Sequence, residues 1–135
     1  MPHITLEYSS NITQTVNFED LFSDFHRTLA EVGGVRINNC KSRGIRRDVF
    51  LVGEGDPKAA FVHVDVLLVE GRSQQWMQRV GQPMLQSVEQ AFEESKRNLQ
   101  LQITVHFRDL KRERYFKYPS GTLTPVEELD AVAKG

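Results

Sequence analysis

The 135-residue chain has almost no cysteine: Cys40 is the only one. A single thiol cannot form an intrachain disulfide, and no cysteine-based metal site is implied. The four histidines, His3, His26, His63 and His106, lie too far apart for metal-ligand spacing. No apolar run approaches the ~20 residues that cross a bilayer. The first residues lack the basic and apolar regions of a signal peptide. Charge of one sign is missing too: 17 Lys and Arg stand against 18 Asp and Glu, a net charge of −1. No global field therefore recruits nucleic acid or an anionic membrane. GxGxxG, GxSxG and P-loop patterns are absent, so no dinucleotide, serine-hydrolase or nucleotide site is suggested. What is left is a cytoplasmic protein of ordinary composition, 39% apolar and 26% charged. The length fits one domain with a modest core, which oligomerisation can extend.

Two helices and four strands can be read from the sequence. Residues 3–8 alternate Ile4, Leu6 and Tyr8 with polar neighbours, the pattern of a half-buried strand. Residues 17–32 follow a helical stripe of Phe18, Leu21, Phe22, Phe25, Leu29 and Val32, with Asn17 as N-cap and Gly33-Gly34 as the stop. Residues 49–52 read as a strand that can reach back to Lys41. Residues 60–69 are nearly continuous apolar, as in a strand covered on both faces. Ser73 caps a second helix to about Arg97, with Trp76, Val80, Met84, Val88 and Phe92 inward and Pro83 expected to kink it near Val80 or to shorten its first half. Residues 99–107 alternate cleanly, and residues 115–118 offer a short extra strand. The order is two βαβ units. It gives an α+β fold, a mixed four-stranded sheet with both helices on one face. The second face of the central strand then needs cover, which an oligomer supplies. Residues 1–118 form the domain and 119–135 a C-terminal tail, loosely held from Thr122.

The chemistry starts at Pro2. If Met1 is removed, Pro2 becomes a secondary amine at the chain end, and burial or a nearby cation brings its pKa toward neutrality. Such an amine is a usable general base. Arg72, in the turn after the central strand, is placed for a cleft near the chain end and can grip a carboxylate with two hydrogen bonds; taken alone, a solvated turn arginine is the commoner reading. Lys41, Arg43, Arg46 and Arg47 form a cationic run, either an anion-binding wall or the guard of an edge strand. On a strand Lys41, Arg43 and Arg47 share one face and Arg46 takes the other. Bases and aromatics interleave from Arg108 to Tyr118, which keeps single-stranded nucleic-acid binding as an alternative that the net charge disfavours.

Met1-Pro2-His3 opening a strand, Ser42-Arg43, Ala60-Phe61-Val62-His63 and Gly71-Arg72-Ser73 occur in an order that resembles the 5-carboxymethyl-2-hydroxymuconate isomerase family of the tautomerase superfamily. The resemblance runs over about residues 1–117. It implies a homotrimer with pockets between subunits and an isomerase that moves a proton between oxygen and carbon without metal or cofactor. It also implies Pro2 as base, a small-molecule carboxylate as substrate, and Arg72 with Lys41 or Arg43 holding its carboxylates. The family reads Arg-Ser-Arg where this chain has Lys41-Ser42-Arg43, which trades a bidentate fork for a point charge. A trimer that keeps the fold and binds without turnover is the other class of reading.

Overall fold

The structure, a computed structural model, describes residues 1–119. The tail from Thr122 lies outside the described residues. Seven elements follow one another: β1 (His3–Ser9), α1 (Phe18–Glu31), β2 (Lys41–Arg47), β3 (Ala59–Val69), α2 (Gln74–Ala91), α3 (Glu93–Asn98) and β4 (Gln100–Leu110). Single 3₁₀ turns, Ile37–Asn39 and Arg112–Arg114, precede β2 and follow β4. The sheet order is β2-β1-β3-β4. β1–β2 and β3–β4 are parallel pairs, each closed over a helix, and β1–β3 joins the two units antiparallel.

The two-residue period of the strands decides what is buried. Ile4 and Leu6 of β1, and Val62, Val64 and Val66 of β3, are fully buried toward the helices. They meet Leu21, Phe25 and Leu29 of α1 and Trp76, Val80, Met84 and Val88 of α2 in one core. Asn17 caps α1 as expected, its side chain accepting from the Asp20 backbone N–H at 3.1 Å. Ser73 caps α2 through the N–H of Trp76, also at 3.1 Å. Trp76 sits in the buried stripe and donates from Nε1 to the Gly33 carbonyl at 3.0 Å.

Three expectations need correction. The strand placed at residues 49–52 is β2, at Lys41–Arg47; β1 ends at Ser9, so beyond Arg47 the edge strand has nothing to pair with. Val49 and Leu51 then lie in the connection, 97% and 75% exposed. α2 runs through Pro83 without interruption, and the break comes at Phe92, whose N–H turns back to Val88 and Gln90. Residues 115–118 form no strand; the 3₁₀ turn at Arg112–Arg114 bends the chain back toward β1.

Candidate active site

The sheet register gathers the site. Parallel pairing sets His3 beside Lys41, and antiparallel pairing sets His3 beside Leu67. The Lys41 N–H donates to the Pro2 carbonyl at 3.2 Å, extending the ladder by one residue. Pro2 is buried at the start of β1. The Met1 side chain is 9% exposed and packs on Val69 and Leu110, with Leu67 and Tyr115 alongside.

Two amines share one acceptor here. The Met1 amine donates to the Asn39 carbonyl at 3.2 Å, and Lys41 Nζ donates to the same oxygen at 3.1 Å. Burial first, and then the charges of Lys41 and Lys117, lower the pKa of the terminal amine to about 6. Next to it, burial pushes the Cys40 thiol up to about 11, so it stays protonated and unreactive.

A hydrogen-bonded chain flanks the amine. An Arg43 Nη2 donates to His3 Nδ1 at 3.0 Å, and His3 Nε2 lies 2.9 Å from the Tyr115 hydroxyl. The His3 pKa is lowered by burial, by the terminal amine and by Arg43 and Lys41, so the ring is neutral. Arginine has no acceptor, hence Nδ1 accepts and the single ring proton sits on Nε2. The His3 ring meets the Tyr115 ring edge-on, centroids 6.0 Å apart. Neither His3 nor Tyr115 was singled out for the site from sequence. Tyr115 is 112 residues from its partner, and only the backward turn after β4 brings it there.

Of the residues singled out, Pro2, Lys41 and Arg43 converge on this spot. Arg72 comes from the other side. Gly71, at φ 110°, makes a turn that other residues rarely adopt. Arg72 Nη1 then donates to the Val69 carbonyl at 2.8 Å, and the guanidinium lies 4.8 Å from the Trp76 ring centroid. Arg72 is thereby tied to the strand end whose Val69 packs on Met1. Farther along the face away from the helices, ions pair with each other: Arg108 grips Asp65 with two nitrogens at 2.8 to 2.9 Å, and Arg47 meets Glu7 at 2.7 Å. His63 bonds Thr104 at 2.6 Å, a satisfied partly buried histidine.

Comparison with known proteins shows the family and the fold. The sequence model of the 5-carboxymethyl-2-hydroxymuconate isomerase family matches residues 2–120. An Escherichia coli 5-carboxymethyl-2-hydroxymuconate Delta-isomerase is 28% identical over 92 residues, 68% of this chain and 73% of that protein. The crystal structure of a 5-carboxymethyl-2-hydroxymuconate isomerase from Deinococcus radiodurans R1 superposes with a TM-score of 0.72 at 22% identity, covering 86% of this chain and 87% of that one. A fused wild-type 4-OT described as a symmetric trimer has the same fold, with a TM-score of 0.64 at 15% identity over 82% of this chain and 86% of its own.

Proposed function

Because the chain belongs to the 5-carboxymethyl-2-hydroxymuconate isomerase family and is an isomerase, we propose that its base is the nitrogen of Pro2, freed by loss of Met1. The observation that carries this reading is the partly buried terminal amine at the chain start, which shares the Asn39 carbonyl with Lys41 and has its pKa lowered to about 6. In the described chain that amine belongs to Met1, one residue ahead of Pro2. Met1 stands where substrate would enter: its loss would uncover the Val69 and Leu110 side chains with which it forms a buried cluster. The same burial and the same two lysines would act on the new amine and keep it neutral at physiological pH.

The proposed reaction is a keto–enol 1,3-proton shift on an unsaturated carboxylic acid such as 5-carboxymethyl-2-hydroxymuconate. Neutral Pro2 takes the proton of the dienol hydroxyl, leaving a dienolate. Cationic Pro2 returns the proton to a carbon, and the carbonyl forms. Lys41 and Arg43 on one side, and Arg72 on the other, supply the positive charge that a dicarboxylate needs at its two ends. The assembly proposed is a homotrimer. The apolar groups that β3 turns away from the helices, Phe61 and Leu67, support it, together with the trimer described for the fused 4-OT. The test is a dienol ketonisation assay on protein whose intact mass shows loss of Met1. Pro2→Ala keeps a terminal amine but a primary and more mobile one, and should lose most of the rate. Equal rates for the variant and the parent would remove Pro2 from the mechanism.

A further inference from the structure

We propose that the Tyr115 hydroxyl binds the substrate oxygen on which negative charge develops, with His3 and Arg43 as its positioning residues; this rests on the isomerase reading above. The argument is one of proton direction. Arg43 can only donate, so it fills Nδ1 of His3 and fixes the ring proton on Nε2. That proton points at the Tyr115 oxygen, 2.9 Å away. The phenol therefore accepts from His3 and has its own proton to give. Among the described residues nothing accepts that proton. A hydroxyl that accepts from a neutral N–H is polarised toward donating, because hydrogen bonds in a chain reinforce one another.

Position completes the case. Tyr115 packs against the cluster that Met1 forms with Val69 and Leu110, so loss of Met1 would leave its ring at the edge of the space ahead of the Pro2 nitrogen. The ring is half-buried and braced edge-on by His3, which limits how far the hydroxyl can stray. The base and the hydrogen-bond donor then flank one cavity. When Pro2 removes the dienol proton, the O–H bond breaks and charge builds on that oxygen. The Tyr115 hydroxyl donates to it and keeps its own proton throughout. When the C–H bond forms with the proton from Pro2, the charge leaves and the hydrogen bond relaxes. A donor of this kind acts on the transition state more than on the bound substrate.

The experiment compares parent, Tyr115→Phe and His3→Phe, all with Met1 removed as read by intact mass. Tyr115→Phe keeps the ring that packs on Val69 and Leu110 and removes only the oxygen. Its kcat should fall by about 10²-fold, the usual cost of one such donor, with KM within a few-fold. His3→Phe, which keeps the hydroxyl but not its orienting partner, should fall less. A second readout does not depend on turnover: affinities for 2-hydroxyterephthalate and terephthalate, whose difference reports recognition of the extra oxygen. The parent should prefer the hydroxylated ligand, and Tyr115→Phe should lose that preference while still binding terephthalate. An active parent matched by an equally active Tyr115→Phe overturns the proposal, as does an unchanged preference in the variant. A parent that ketonises nothing overturns the proposed Pro2 ketonisation instead, and the ligand preference then decides whether Tyr115 recognises the oxygen.

Discussion

Lys41 sits 3.1 Å from the carbonyl that also receives the terminal amine, so its charge opposes protonation of that amine. Removing it should make the base easier to protonate. Lys41→Ala is expected to move the acid limb of kcat/KM to higher pH, whereas Lys41→Arg should leave it nearly in place; an unmoved limb in the alanine variant would refute this. A protein that keeps Met1 offers a separate check. Its amine has a pKa of about 6 folded against 8.0 unfolded. The unfolded chain therefore binds more protons between those values, and stability drops as pH falls from 8 to 6. Urea midpoints of the Met1-bearing chain and an N-acetylated one, which cannot titrate there, should diverge in that window in this direction. Pro2 and Lys41 were legible because a proline behind an initiator methionine and a cation run are local patterns. Tyr115 was not, since its meaning depends on a hydrogen bond to His3 across nearly the whole domain.

Helix α1 and the core strands were legible as elements because their apolar stripes are dense: Leu21, Phe25 and Leu29 recur at four-residue steps, and residues 59–69 alternate with full burial. β2 was displaced because an edge strand has no need of apolar residues. Its side chains are mostly exposed, and the apolar run after it belongs to a loop where Phe50 folds onto Phe61 at 6.2 Å between ring centroids. The division between α2 and α3 was hidden because the stripe from Trp76 continues in register to Phe92. Where α1 ends, the close approach of elements is testable. A Cβ on Gly33 would lie 2.7 Å from the Leu29 carbonyl and 2.8 Å from the Trp76 ring. Gly33→Ala should cost roughly 1–3 kcal/mol by overpacking, read as a lower denaturation midpoint; a cost near zero would mean that α2 can shift away. Across β3 and β4, Arg108 holds the Asp65 carboxyl below its usual 3.8. The folded state then binds fewer protons, so this contribution exists above that value and is lost as pH falls beneath it. Asp65→Asn should flatten the acid arm of the stability curve, and a curve parallel to the parent's would show the pair to be idle.

The whole molecule is two βαβ units joined edge to edge, and that topology was open to reading because strand and helix periods alternate along the chain. The register that places Lys41 beside His3 was not, for the sequence around β2 carries no apolar alternation to set it. As a trimer, the protein should bury the exposed Val49 and Leu51 or the Phe61 and Leu67 of β3. Leu67→Glu is expected to yield smaller species in sedimentation, while a mass of three chains unchanged in the variant would exclude that face from the contact. The join of the two units has a further consequence. β1 begins next to a chain end, but β3, its counterpart in the second unit, begins inside a continuous chain after the Asp56-Pro57-Lys58 turn. Its leading nitrogens are amides, with no lone pair to offer. Each polypeptide thus holds two βαβ units and, at the starts of their leading strands, a single terminal amine. In chains freed of Met1, trapping with an iminium-forming aldehyde followed by peptide mapping should place an adduct on the Pro2 nitrogen, while the backbone nitrogen that opens β3 at Ala59 stays unlabelled.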